Sequence, residues 1–310
     1  MREKARALEN AVNSVLLGKA SVVRLVMTAF FGGGHVLLED VPGVGKTILA
    51  RALARAVDAS FRRIQFTADL LPSDIVGTSI FNQSNGAFEF RPGPIFAQVV
   101  LGDEINRTTP RTQSALLEAM NEGSISLDGV THSLPKPFIV LATQNPYEFE
   151  GTYPLPESQL DCFMMRVEIG YPAPDAERKM LEVQQEHHPL EDVRPVLTSA
   201  DVEAIQAQVR KVRVEDSLRK YLLAIANATR QDRRIRVGVS PRASGALQRA
   251  AQSHAFLDGR DFVIPDDIKT LAPCVLGHRI VPDGALPGDG SFRERESLVR
   301  ELTDTIDVPL

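Results

Sequence analysis

The sequence predicts an α/β domain, a parallel sheet wrapped by helices, followed by a smaller all-helical domain. Three observations carry that expectation. Short apolar runs alternate with helical patterns through the first half of the chain, as strand–helix–strand units require. One such run, HVLLE (35–39), passes through a glycine-rich turn straight into the helical pattern KTILARALARAV (46–57). After GYPAPDAER (170–178) the strand signals stop, and helical patterns follow one another to about residue 280.

Taken in order, residues 1 to about 31 read as helical and end at the breaker Gly32–Gly34. HVLLE is a buried strand. The pattern over 46–57 sets Ile48, Leu49, Ala52, Leu53, Ala56 and Val57 on one helical face. FRRIQ (61–65) reads as a second strand. In 81–96, Asn85-Gly86 beside alternating Phe88 and Phe90 is hairpin chemistry. AQVVLGDE (97–104) is a third buried strand ending in two acids. TPRTQSALLEAMNEG (109–123) is a helix, with Thr109 as N-cap, Pro110 in the first turn and Gly123 at the stop. A second hairpin turns at Asp128-Gly129 within 124–134. PFIVLATQNP (137–146) and CFMMRVEIG (162–170) complete five strands. The expected division is a core at 1–175, a helical domain at 176–281 and a tail at 282–310, Pro/Gly-rich before a short helix. No internal repeat is visible.

Composition narrows the class. The 310 residues are 43% hydrophobic and 24% charged, the balance of a soluble protein with a real core. The net charge of -5 weighs against a nucleic-acid binder, which carries a basic footprint. The two cysteines, Cys162 and Cys274, lie far apart with no CxxC spacing, which argues against a zinc site or disulfide framework. The compartment reads as reducing, and the cytoplasm is the expected location. The N-terminus reads as a charged helix rather than a signal peptide. The apolar stretch VVRLVMTAFF falls short of the roughly 18 residues that span a bilayer, so membrane insertion is not expected.

The chemistry concentrates in four places. The phosphate-loop pattern is G-x-x-x-x-G-K-[ST]; residues 40–47 read DVPGVGKT, with Asp40 in the first glycine position. The segment Asp40, Val41, Pro42, Gly43, Val44, Gly45, Lys46, Thr47 and Ile48 is the candidate nucleotide cradle. Gly43 and Gly45 let backbone N–H groups turn toward phosphate without a Cβ in the way. The helix start adds partial positive charge. Lys46 is suited to the β- and γ-phosphates, and Thr47 to Mg²⁺. Second, Asp103 and Glu104 end a buried strand at the edge where such sheets bind ligands. Asp103 would hold Mg²⁺ through water, and Glu104 would polarise the attacking water. Third, Asn145 in ATQNP can orient that water, although Asn-Pro is also an ordinary turn former. Fourth, Arg242 lies in the first turn of a helix capped by Ser240 and Pro241. That is a poor place for a cation in the helix dipole, and a γ-phosphate nearby would explain it.

Together these tracts resemble the MoxR branch of the AAA+ ATPases. HVLLEDVPGVGKT, RIQFTADLLPSDIVG, FRPGPIF, DEINRTTPRTQSALLEAMNEG, ATQNPYEFEGTYPLPESQLD and GVSPRA carry the likeness, which spans roughly 15–281. The resemblance implies an AAA+ core with hairpin inserts and a helical lid. It implies Walker A at 40–47, Walker B at Asp103 and Glu104, sensor 1 at Asn145 and sensor 2 at Arg242. Further implications are ATP and Mg²⁺ as cofactors, a hexameric homo-oligomeric ring with nucleotide between subunits, and hairpins placed toward the ring face or pore.

Two departures stand out. Asp40 replaces a glycine, but only at the position that closes the turn, where Asp can bond backbone N–H groups. In LDCFMMRV the family has an arginine, its expected trans-acting finger, where this chain has Cys162. A thiol supplies neither the charge nor the forked donors of a guanidinium. The expectation is weak hydrolysis, or reliance on another arginine such as Arg107, Arg111 or Arg166.

Other features read as structure. His35 is a packed polar group, His187-His188 a solvated helix end, and RQDRRIR (230–236) a solvated or ring-contact face. Phe88, Phe90 and Phe96 form either a contact surface or hairpin core. The expected function is an ATPase that remodels, matures or inserts metal cofactors into partner protein complexes. The family often works beside a von Willebrand factor A-domain protein, so such a partner is expected together with a protein client. The alternatives are a nucleic-acid-remodelling motor, a magnesium-chelatase-type subunit, and an assembly subunit that binds ATP with very weak hydrolysis.

Overall fold

The computed structural model describes residues 1–145, 151–184, 189–284 and 292–309. His187-His188, the tract 146–150 and the Pro/Gly-rich 285–291 lie outside the described residues.

The opening helical stretch is two helices, α1 (Arg2–Asn13) and α2 (Ala20–Gly32). They part at Gly18, whose backbone is left-handed (φ 74°) and where a Cβ would strike Ala176 at 2.7 Å. The chain continues through β1 (His35–Glu39), α3 (Lys46–Ala56), β2 (Phe61–Gln65) and the single turn α4 (Pro72–Val76). The first hairpin is β3 (Gly77–Asn82) with β4 (Ala87–Pro92). Next come β5 (Val99–Asp103), α5 (Pro110–Glu122), and the second hairpin, β6 (Ser124–Leu127) with β7 (Val130–Ser133). Its turn residues Asp128 and Gly129 both have positive φ, the conformation that Asp-Gly supplies most readily. β8 (Ile139–Gln144), α6 (Glu157–Leu160) and β9 (Phe163–Val167) complete the α/β part.

The five strands β1, β2, β5, β8 and β9 form one sheet in the order β2-β5-β8-β1-β9, and every pairing is parallel. Helices cover both faces, so the central strands carry apolar residues at successive positions instead of alternating with polar ones. The period of two still sorts them. Val36, Leu38, Val99, Leu101, Ile139 and Leu141 enter one buried cluster; Leu37, Val100, Val140 and Ala142 enter the other. The first cluster holds α1–α3, and the second holds α5 and the roots of the hairpins.

The helical region follows as α7 (Pro174–Gln184), α8 (Ser199–Val209), α9 (Asp216–Gln231), β10 (Ile235–Val237), α10 (Pro241–Leu257), α11 (Pro265–Leu276), β11 (Val281–Pro282) and α12 (Phe292–Asp304). Thr198 caps α8 reciprocally: its hydroxyl accepts from Asp201 N at 3.2 Å, and Asp201 accepts from Thr198 N at 3.1 Å. The antiparallel pair β10–β11 had no strand signal in the sequence. Val202, Ile205, Leu247, Ile268, Leu271 and Leu302 share the buried cluster of α1–α3, so the lid helices pack on the sheet through one continuous core. α12 packs against α11 and α9. Among the described residues, no helix is long and apolar enough to cross a membrane.

The hairpin phenylalanines divide. Phe88 is 73% exposed, while Phe90 stacks on His132 of the second hairpin at 4.0 Å and meets Phe96 edge-on.

Candidate functional site

Three of the four candidate tracts meet at the carboxyl edge of the sheet. β1, β5 and β8 are neighbours, so their C-terminal ends bring the 40–47 loop, the Asp103-Glu104 pair and Asn145 side by side. Gly43 and Gly45 take left-handed φ values of 88° and 104°. A Cβ on Gly43 would meet nothing within 4 Å, so the turn opens onto free space. No side chain caps the start of α3, whose N-cap is Gly45 itself. The first-turn amides and the helix dipole therefore point at that opening, which is a ready anion site. Lys46 Nζ donates to Asp40 O at 2.6 Å, folding the side chain back over the loop.

Asp40 is buried, and both its carboxylate oxygens are committed. Oδ1 accepts from Val41 N at 2.8 Å, and Oδ2 accepts from Gly170 N beyond β9. Its side chain does what a turn-closing residue must do, and it ties the loop to the neighbouring strand.

At the end of β5 the backbone turns sharply. Glu104 is a non-glycine residue at φ 60°, an uncommon conformation worth a functional explanation. Thr143 on β8 braces the pair: its hydroxyl donates to Asp103 Oδ1 at 2.6 Å and accepts from Glu104 N at 2.9 Å. On β2, Arg63 donates to Asp103 Oδ2 through Nε (3.1 Å) and Nη2 (2.5 Å). Gln65 Nε2 donates to Glu104 Oε2 at 2.9 Å, and Arg107 Nε lies 3.3 Å from the same oxygen. Asn145 is buried at the end of β8. Arg63, Gln65 and Thr143 escaped the sequence reading because their roles depend on which strands lie next to β5. The alternation of Arg63 and Gln65 on one strand face was the available signal.

The donors suit the groups the motif implies. Thr47 and Asp103 offer hard oxygen ligands, and Mg²⁺ takes one or two protein oxygens together with phosphates. The opening above Gly43 and the uncapped helix start suit a polyphosphate. Lys46, Thr47 and Asp103 would hold Mg-ATP there.

Arg242 is not brought to the loop of its own chain. It lies at the opposite edge, beside the N-terminal ends of the strands, where its guanidinium donates to Asn121 Oδ1 at the end of α5. The same Asn121 donates through Nδ2 to Cys162 Sγ at 3.1 Å. A five-residue strand such as β1 separates the two edges by roughly 15 Å. A nucleotide held between the loop and Arg242 of the same chain does not fit this arrangement.

Cys162 itself is buried just before β9, and burial pushes its thiol up from the ordinary range. Nearby, Arg279 is committed to structure: it donates to Asp161 Oδ1 at 2.8 Å and to Phe163 O at 2.6 Å. Arg166 is no stand-in finger either. It is buried on β9, with Nε 2.7 Å from Glu39 Oε2 and Nη1 3.0 Å from Glu296 Oε1 on α12. Burial raises the pKa of Glu39 against the pull of Arg166. Arg107 lies at the carboxyl edge with Glu104, away from Cys162.

Comparison with known proteins agrees with this architecture. Residues 35–165 match the family model described as ATPase family associated with various cellular activities (AAA), and residues 227–302 match the AAA lid domain. The chain is 50% identical to an uncharacterized protein, YeaC, of Bacillus subtilis, over 98% of this chain and 94% of that one. It is 40% identical to the chaperone MoxR1 of Mycobacterium tuberculosis, over 87% of this chain and 74% of that one. Among solved structures, a putative ATPase from Cytophaga hutchinsonii superposes with a TM-score of 0.90 at 36% identity, covering 100% of this chain and 96% of that one. These matches make the chain a member of the MoxR family of AAA+ ATPases.

Proposed function

We propose that this ATPase binds Mg-ATP at the carboxyl edge and uses hydrolysis to remodel or mature a partner protein complex. Lys46 holds the β- and γ-phosphates, and Thr47 and Asp103 hold the metal. Glu104 polarises the attacking water, which Asn145 helps to orient. The single observation that carries this reading is the Glu104 turn. A residue in a left-handed conformation presents its carboxylate at the same sheet edge as the uncapped start of α3, braced through its backbone N–H by Thr143 and held by Gln65 and Arg107.

The position of Arg242 supports an assembly. A closed ring, hexameric in this reading, sets the N-terminal edge of one copy against the phosphate loop of the next, so Arg242 serves a neighbour's nucleotide. Cys162 leaves the finger position beside it without a cation, and hydrolysis is accordingly slow. A chaperone-type relative supports a protein client, and a von Willebrand factor A-domain protein is the partner proposed. The exposed Phe88 hairpin is available for client contact.

Glu104→Gln tests the reading. The variant keeps the amide's acceptor oxygen but cannot take a proton. ATP affinity should stay within about twofold, while phosphate release falls by roughly 10³ in a steady-state assay. Unchanged turnover would remove Glu104 from the chemistry.

A further inference from the structure

We propose that Asp40 is a positioning residue that fastens the phosphate loop to the segment joining the sheet to the lid, so that filling the loop is felt at the root of the lid. The inference rests on the reading of this edge as a Mg-ATP site. Asp40 directly follows β1, and Gly170 lies just past the end of β9. β1 and β9 pair in parallel as far as Leu38 and Val167, where the backbone ladder stops. Asp40 N donates the other way, to Gln144 O of β8 at 3.1 Å, and Asp40 O takes the Lys46 ammonium at 2.6 Å. Neither backbone group is given to the continuation of β9. The side chain takes over that task. Oδ1 closes the turn on Val41 N at 2.8 Å, and Oδ2 accepts from Gly170 N. With a glycine at position 40, the Gly170 amide would lose this acceptor.

The far side of the joint is held as well. β9 is an edge strand, so the segment that continues it has a strand neighbour on one side only. Lys19, the N-cap of α2, reaches that segment and donates to Ile169 O at 2.6 Å and to Tyr171 O at 2.7 Å. Gly170 between them turns in the left-handed region (φ 67°). Shortly after, α7 opens the helical region at Pro174, and its Ala176 lies against Gly18. Asp40 therefore joins three tracts: the end of β8 beside Asn145, the ammonium of Lys46, and the root of the lid. When a polyphosphate draws Lys46 away from Asp40 O, the loop reseats around Asp40. Its buried carboxylate has both oxygens on backbone amides, so the shift carries Gly170 with it. Letting go would leave the Gly170 amide, a part-buried donor, without its acceptor, and that cost keeps the joint closed.

Hydrogen–deuterium exchange on the full-length protein tests this, with and without saturating adenylyl-imidodiphosphate and Mg²⁺. In the wild type the analogue should slow exchange in 42–50 and in 169–178 together, each by about tenfold. Asp40→Ser keeps an oxygen that can close the turn on Val41 N but falls one bond short of Gly170. Asp40→Gly removes both contacts. In either variant the slowing at 42–50 should remain, while that at 169–178 should drop below about twofold. Slowing at 169–178 that survives in both variants would overturn the proposal and leave Asp40 as a turn former. A wild type that slows at 42–50 but not at 169–178 would also overturn it, with the site reading intact. No slowing at 42–50 in the wild type would overturn the site reading and this inference together.

Discussion

The two ends of the same parallel strands are built on opposite terms. At the C-terminal ends, glycines open the backbone, a helix start is left uncapped, and two acids are held by half-exposed side chains that can let go. At the N-terminal ends, buried polar groups are sealed against backbone. His35 Nδ1 accepts from Val140 N at 3.0 Å, while Nε2 lies 3.1 Å from Met120 O. His278 Nε2 lies 3.2 Å from Phe163 O, and Arg279 reaches four carbonyls and the Asp161 carboxylate in that neighbourhood. From this closed surface Arg242 projects as an exposed cation. A sheet can therefore carry an adaptable half-site at one end and a rigid half-site at the other. The difference follows from solvation: groups that must exchange partners stay near water, and groups that only hold shape do not.

Acidification should break the rigid end. Burial lowers the pKa of His35 to about 4 and that of His278 well below the ordinary value. Both are neutral in the fold and bind protons more readily once unfolded. Stability is therefore fully present above about pH 6.5 and falls as pH drops from there toward 4. His35 alone should contribute a loss of about 3 kcal/mol. Denaturant melts across this window check the sign, and His35→Gln should reduce the slope by about one proton.

Removing the exposed cation Arg242 sharpens the comparison next. Arg242→Ala should cut turnover of the assembled protein by about 10². The affinity of a dilute, unassembled chain for ATP should not change. Equal losses in both states would place Arg242 in its own chain's site and contradict the geometry. Binding measured below the assembly concentration, beside turnover above it, separates the two.

The smallest effect expected is a gain. Cys162→Arg restores a guanidinium beside Asn121 and Arg242, and should raise steady-state ATPase about tenfold. That is less than a trans finger can supply, because Arg242 already places one positive charge there. No gain would mean that this edge does not lack a finger.

Much of the molecule was legible from local pattern. The phosphate loop is contiguous, so Gly43, Gly45, Lys46 and Thr47 could be named together with the helix that follows. Asp103 and Glu104 ended a run too apolar to be anything but buried. Asp40 could be read as a turn former, and the structure gives the two amides that it accepts. The Asp128-Gly129 hairpin needed only its turn residues. Arg166 was misread as a possible finger because a charged residue in an apolar strand gives no hint of its partners. Here those partners are Glu39 on the neighbouring strand and Glu296 on a helix 130 residues further on.

The sequence by itself determined the class, the succession of strands and helices through the α/β part, and the candidate phosphate-loop residues, because each is encoded within a few consecutive residues. Only the tertiary structure decided the sheet order β2-β5-β8-β1-β9. With it came the bracing of Asp103 by Thr143, the grip of Arg63 and Gln65, and the placing of Arg242 at the far edge. Those depend on which strands become neighbours, and that is settled by how the helices pack across both faces to bury the apolar sheet.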